Sequence, residues 1–428
     1  MARVIVASTP LQGHVQPVLA AAAGLVRRGH EVVVLTGMRF ADAVADVGAR
    51  FVQLPPEADY DDRNLEAFFP ERAGLPAGPA QLEYDMKYVF GDPTRAQFHA
   101  LRALLAGFPA DVVLSDMLFM GSLALTLSAP AGRRPVTVSL GTTLPALMSE
   151  DAPPVGLGVP PVPGEEGRAL YRAMNRQIEK ALADTQWYLE QNFRAVGVEL
   201  PGFIFNSLVT VPDHYLQLTA PGFEYPRRDL PGSFRYVGPL PSPPATEHVL
   251  PDWWPELDEE ARPVVVVTQG SWANRDLTEL VAPAVQALAD ENVLVVAATA
   301  RPDGPADLGP VPDNVRVGGF LPFDLLLPYA SVLVTNGGYG GVHTALGHGV
   351  PLVVAGGSED KLEVAARVEW SGVGVSLGTG RPSPQALRRA VLRVLAEPGY
   401  HRRAEELERE LAGYDAVEAI VGVVAAKA

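Results

Sequence analysis

The run Asn336-Gly337-Gly338-Tyr339-Gly340-Gly341 carries the clearest chemistry in this sequence. An apolar stretch, Ser331-Val332-Leu333-Val334-Thr335, leads straight into it. A helix-like segment, Val342-His343-Thr344-Ala345-Leu346, follows and closes at Gly347-His348-Gly349-Val350-Pro351. Strand, glycine turn and helix start together form an anion cradle. Glycine lets backbone N–H groups approach a phosphate, and the helix N-terminus adds partial positive charge. A diphosphate is expected near residue 338.

The elements that must hold such a turn can be read around it. Val4-Ile5-Val6-Ala7 has the apolar character of a strand covered on both faces. A loop over residues 8–14 follows, then a helix from Pro17 to Arg28, with Arg27 and Arg28 in its last turn and Gly29 at its end. Residues 32–35, 111–116 and 135–139 read as further buried strands. The pattern restarts at Val264-Val265-Val266-Val267, with a helix over 276–289 and strands at 293–297, near Val315, near Leu333 and at 352–355. Residues 400–428 are helical in pattern. Such alternation predicts an α/β protein with doubly wound parallel sheets. We divide it into residues 1–240, a proline-rich linker at 241–262, and residues 263–428, with the last helix packing back on the first domain. Ligands of such folds sit beyond the carboxyl ends of the strands. The loops at Gly13, Asp116, Gly270, Gly338 and Gly357 all follow strands and can face one cleft.

Residues 54–91 and 144–168 break the rhythm and read as lids or binding loops. Asp59, Asp61 and Asp62 lie in the first of these and read as a solvated loop rather than a metal site. Trp253 and Trp254 fall in the linker and are expected to pin the domains together.

Composition narrows the partners. The 428 residues carry a formal net charge of -16, which argues against nucleic acid or an anionic membrane. Cysteine is absent, excluding disulfides, thiolate catalysis and cysteine-ligated metal. Only Lys87, Lys180, Lys361 and Lys427 are lysines, and with abundant Ala, Gly and Pro this reads as a GC-rich bacterial genome. The chain opens on a strand, so no signal peptide is expected, and no apolar run suffices to span a membrane. A cytoplasmic protein is the expectation.

A nicotinamide-dehydrogenase reading fails on residues. The first βα turn has one glycine, Gly13, and the second strand ends Leu35-Thr36-Gly37 with no acid for a ribose. Near residue 338, His343 stands where the last glycine of that fingerprint would be. A Walker motif is missing too.

Taken in order, the motifs resemble the family 1 glycosyltransferases of GT-B architecture, in which two Rossmann-like domains face a cleft. Thr9-Pro10-x-x-Gly13-His14-x-x-Pro17 looks like the family's opening loop with its catalytic histidine. Ser115-Asp116 looks like the acidic partner. Phe320-Leu321-Pro322 through Val350-Pro351, with Asp360 beyond, look like the donor signature. The resemblance spans nearly the whole chain. It implies an acceptor-binding first domain and a nucleotide-sugar-binding second one. It also implies inverting transfer from a nucleotide diphosphate (thymidine or uridine) to a hydroxyl, with the nucleotide sugar as co-substrate and no cofactor.

Sugar transfer needs a nucleophilic acceptor hydroxyl, a sugar C1 held in line and a stabilised leaving group. Histidine suits the first task because imidazole exchanges a proton near neutral pH. On this reading His14 is the base, and Asp116 holds its tautomer and stabilises the imidazolium. The diphosphate rests on Asn336, Gly337, Gly338, Gly340 and Gly341, helped by the Ser271 hydroxyl. Phe320, Leu321 and Thr344 line the nucleoside, and Asp360 and Lys361 the sugar. No metal is required if these groups neutralise the charge. The bland alternatives are a structural His14, an Asp116 that caps the next helix, and a glycine run that is only a tight turn.

Three positions depart from the family pattern. Asn336 replaces a histidine and can donate but not carry charge. Thr344 replaces a ribose-binding glutamate, which favours a thymidine diphosphate donor. Asp360-Lys361 replaces an Asp-Gln pair; Lys361 either pairs with Asp360 or reaches the donor. The aromatic and flexible segments around Phe68-Phe69, residues 84–90 and residues 144–162 suit a bulky, mostly apolar acceptor. A homodimer is compatible with the sequence. The rival readings are a hydrolysing nucleotide-sugar epimerase and a non-catalytic partner of a transferase.

Overall fold

The computed structural model describes residues 1–76, 78–241, 249–270, 276–301, 308–357 and 360–426. The first sheet has seven parallel strands: β1 (Arg3–Ala7), β2 (Glu31–Thr36), β3 (Arg50–Gln53), β4 (Val112–Asp116), β5 (Val136–Gly141), β6 (His214–Gln217) and β7 (Phe234–Tyr236). Their order is β3-β2-β1-β4-β5-β6-β7. The second sheet has six: β8 (Val264–Thr268), β9 (Leu294–Ala298), β10 (Val315–Gly318), β11 (Ala330–Thr335), β12 (Leu352–Val354) and β13 (Gly374–Ser376), ordered β10-β9-β8-β11-β12-β13. Both are α/β sheets wound in two directions from a central strand, as expected. Register aligns the strand ends that carry the loops of the cleft. Ala7 of β1 pairs with Ser115 of β4, which sets the two strand ends side by side. Thr335 of β11 pairs with Thr268 of β8 in the same way.

Strands β3, β6, β7 and β13 escape the sequence pattern because each is short and none offers an unbroken apolar run. The opening helix differs more. It runs Gln12–Arg27, so Pro17 lies inside it and His14 in its first turn. Leu11 supplies no side-chain cap. The cap comes from a distance: Asp62 Oδ2 accepts the Gln12 N–H at 2.7 Å. Pro17 forfeits one bond, to the Gly13 carbonyl, a tolerable loss in a helix fixed at its start from outside. Asp62 is therefore buried, ion-paired to Arg39, and not part of a solvated loop. Asp59 accepts from Met38 N and Gln53 Nε2, and Asp61 pairs with Arg63.

The helix expected over 276–289 is shorter, Val281–Leu288. Asp276 Oδ1 takes the Thr278 N–H at 3.0 Å, and this local turn competes with helix. The carboxyl-terminal segment splits into Pro398–Leu411 and Ala416–Ala425, the second capped by Asp415. The closing helix Ala416–Ala425 packs its Ala416, Ile420, Val423 and Val424 into the same core as Val15, Val18 and Leu25 of the opening helix. Gly24 permits this: a Cβ there would sit 2.5 Å from Val417.

The two sheets meet through a shared core in which Leu144, Ala220 and Phe223 join residues of the second sheet's helices. Trp254 enters that core, and Trp253 donates to the Val317 carbonyl at 3.1 Å, so the tryptophan pair is anchored on the second sheet's side. A buried ion cluster adds a second seam. Arg367 bonds Glu224 and Glu363, each at 2.9 Å, and its guanidinium lies 4.2 Å from the Tyr225 ring centre. Glu363 also accepts the N–H groups of Gly156 and Gly158 at 2.9 and 2.7 Å. The loop after β5 is thus fastened to the helix Lys361–Trp370.

Candidate active site

His14 and Asp116 come together where β1 and β4 end. His14 Nδ1 lies 2.9 Å from Asp116 Oδ1, with the imidazole 16% exposed and the carboxylate buried. Asp116 also accepts the Leu118 N–H at Oδ1 and the Thr9 N–H at Oδ2, both at 2.8 Å. The helix that follows, Met120–Ser128, receives no side-chain cap. Asp116 therefore tightens its own loop and the loop of His14 rather than capping that helix. An ionised carboxylate only accepts, so Nδ1 carries the proton and Nε2 keeps a lone pair. Phe90 lies 5.9 Å from the imidazole, and Tyr60 packs on Phe69 at 5.2 Å. With Leu11, Leu65 and Val89 these rings form an apolar cluster beside the histidine.

The glycine turn follows β11 as expected, and the helix Tyr339–Leu346 starts on it. Gly337 has φ +88°, and a Cβ would meet Val354 Cγ1 at 2.6 Å, so glycine is required there. Gly340 and Gly341 are different: a Cβ on either would meet open space. The first-turn N–H groups of Tyr339, Gly340 and Gly341 have no partner within the helix and point off its end. Asn336 is buried, and its Nδ2 donates to the Gln269 carbonyl. One of its two N–H bonds is thereby spent on joining the loops after β8 and β11. Ser271 lies outside the described residues.

Phe320 is 68% exposed, whereas Leu321 packs against the shared core. Thr344 Oγ1 donates to the Gly340 carbonyl at 3.0 Å, inside its own helix. Asp360 accepts the hydroxyl of Thr143 from the other sheet. Lys361 is buried at the start of its helix, packed where a Cβ on Gly356 would meet its own Cβ at 2.6 Å.

Cross-contacts bring the carboxyl ends of the two sheets face to face. Thr143, just past β5, meets Asp360, and Gln217, ending β6, lies 3.0 Å from the Tyr339 hydroxyl. Sequence reading misses Thr143, Gln217 and Thr219 and gives Tyr339 no contact of its own, because each meets a residue far along the chain, Thr219 meeting His343.

Comparison with known proteins gives the family and the fold. The Erythromycin biosynthesis protein CIII-like C-terminal domain model matches residues 279–426. The 4'-demethylrebeccamycin synthase of Lentzea aerocolonigenes is 42% identical over 426 residues, 99% of each chain. UDP-glycosyltransferase 2 of Phaeomoniella chlamydospora is 37% identical, over 97% of this chain and 94% of its own. Among solved structures, the glycotransferase of kitacinnamycin shares the fold with a TM-score of 0.73 at 24% identity, over 99% of this chain and 98% of its own. The chain belongs to the family 1 nucleotide-diphosphate-sugar glycosyltransferases of GT-B architecture.

Proposed function

We propose that this protein transfers a hexose or deoxyhexose from a nucleoside diphosphate to a hydroxyl of an apolar natural product, inverting the anomeric centre without a metal. The observation that carries the reading is the His14–Asp116 pair, 2.9 Å apart at the strand ends that oppose the glycine cradle. The acceptor hydroxyl gives its proton to His14 Nε2 while its oxygen attacks C1. The bond from C1 to the phosphate oxygen breaks on the opposite face. Asp116, on the far side of the ring, offsets the charge of the imidazolium. The N–H groups of residues 339–341 receive the charge developing on the diphosphate, which they are placed to do without reorganising.

The acceptor lies against Phe90 and its aromatic neighbours, which favour an apolar aglycone. Relatives named for rebeccamycin and erythromycin biosynthesis support a natural product. The Phaeomoniella relative is named for UDP. Thr344, spent on its own helix, favours a site indifferent to a 2′-hydroxyl and open to thymidine diphosphate. A panel of nucleotide sugars and hydrophobic alcohols, read by mass spectrometry and by anomeric configuration, tests the reading. A β-configured product from an α-configured donor is expected. Release of an epimerised sugar, or no turnover with any pair, overturns it.

A further inference from the structure

Four buried polar side chains join the acceptor side to the cradle helix. Gln217 Nε2 donates to the Thr143 carbonyl at 2.7 Å and lies 3.1 Å from the Gly141 carbonyl and 3.0 Å from the Tyr339 hydroxyl. Thr219 Oγ1 lies 2.5 Å from His343 Nε2, and His343 Nδ1 lies 2.8 Å from the Tyr339 carbonyl. Gln217, Thr219, Tyr339 and His343 are all buried.

The donor directions follow from what each group can do. A carbonyl only accepts, so His343 Nδ1 carries the ring proton and Nε2 is the acceptor. Thr219 donates to Nε2, and Gln217 donates to the Tyr339 hydroxyl. The Thr219 hydroxyl and one Gln217 N–H are thereby committed to the cradle helix. Gln217 has a second grip. It holds the backbone of Thr143, whose hydroxyl donates to Asp360. One amide thereby reaches the cradle helix through Tyr339 and the sugar-side carboxylate through Thr143.

We propose that Gln217 is a positioning residue for sugar transfer, setting the diphosphate cradle and Asp360 at a fixed offset from His14. The inference rests on the transferase reading above. Gln217 touches no reacting atom; its effect is on alignment, where a displacement of about 1 Å costs about 10²-fold in rate.

The test uses two substitutions. Gln217→Met keeps the volume and removes the donor, and Tyr339→Phe removes one oxygen from its partner. With a nucleotide sugar and an accepted alcohol, kcat is expected to fall about tenfold in each, the size of one lost buried hydrogen bond. KM for the donor and the calorimetric Kd of the free nucleoside diphosphate stay within about twofold, because the cradle itself is intact. The double variant falls no further than the worse single one, as partners in one bond do. Unchanged kcat in the folded variants overturns the inference, as do fully multiplicative losses or a Kd that weakens in step with kcat. If Gln217→Met fails to fold, Tyr339→Phe alone decides. A parent that transfers no sugar removes the transferase reading and this inference with it; an active parent with unaffected variants removes the inference alone.

Discussion

The two faces of the cleft are built in opposite ways. On the side proposed for the acceptor, the side chains assigned the chemistry are gathered from afar: His14 and Asp116 are 102 residues apart, and Thr9 and Asp116 are 107 apart. On the side proposed for the donor, the assigned chemistry is in the backbone of one contiguous turn, residues 337–341, with open space at Gly340 and Gly341. The difference predicts where each face breaks. The acceptor side fails when a functional group is lost. The donor side fails when a side chain is added.

The largest expected effect is on the acceptor side. His14→Ala is expected to lower kcat by about 10²–10⁴-fold, the usual worth of a general base, with nucleotide-sugar affinity nearly unchanged. Asp116→Asn is expected to cost about ten- to a hundredfold, the worth of one charge-assisted hydrogen bond. Steady-state rates with calorimetry on the same preparations measure both. Near-normal turnover by His14→Ala would end the comparison, because the acceptor side would then hold no side-chain chemistry.

The seam between the faces supplies the next test. Burial pushes His343 down to about 4 from 6.5, since a charged imidazole there would be stranded among Phe223, Tyr339 and Thr219. The unfolded chain takes up the proton near 6.5 and the folded one only near 4. Its contribution to stability is therefore full above about pH 6.5 and is lost as pH falls through about 4, amounting to about 3 kcal/mol. Urea unfolding of the parent and of His343→Leu at pH 7.5 and 4.5 isolates it. The parent should lose more stability than the variant between the two pH values. Equal losses would mean that His343 is not held neutral.

On the donor side two glycines separate cleanly. Gly337→Ala meets Val354 and a positive φ, and is expected to lower stability by about 1–3 kcal/mol. Gly340→Ala meets nothing and sits in a helix, so the melting temperature should hold or rise slightly. Its methyl group projects where the diphosphate is proposed to lie, so nucleotide affinity should fall. Thermal melts and calorimetry read both. If Gly340→Ala binds nucleotide normally, the diphosphate does not rest on this turn.

What the sequence reveals divides along the same line. The glycine turn between strand and helix is legible because its parts are contiguous, which glycine spacing displays directly. His14 and Asp116 are legible from strand ends and a motif, though not the helix that carries His14, whose cap is Asp62, 50 residues on. Thr143 with Asp360 and Gln217 with Tyr339 are not legible at all. These contacts span 217 and 122 residues, and nothing local in a threonine or glutamine announces a partner in the other sheet.

The smallest effect concerns the nucleotide, and it is the one that decides the donor. Thr344 stands where a ribose-binding glutamate is expected, and its hydroxyl is already given to the Gly340 carbonyl at 3.0 Å. A site discriminates strongly against a missing hydroxyl only when that absence leaves a buried protein group unpaired. Thr344 is paired either way, so the 2′-hydroxyl should bring at most about a few-fold in affinity. Thymidine diphosphate should bind at least as tightly as uridine diphosphate. Thr344→Glu adds a carboxylate that can accept from the ribose and should move the preference toward uridine by up to about tenfold. Calorimetry with both nucleotides on parent and variant gives the ratio. A parent that strongly favours uridine diphosphate would show that another residue reads the ribose, and that the donor face relies on a side chain after all.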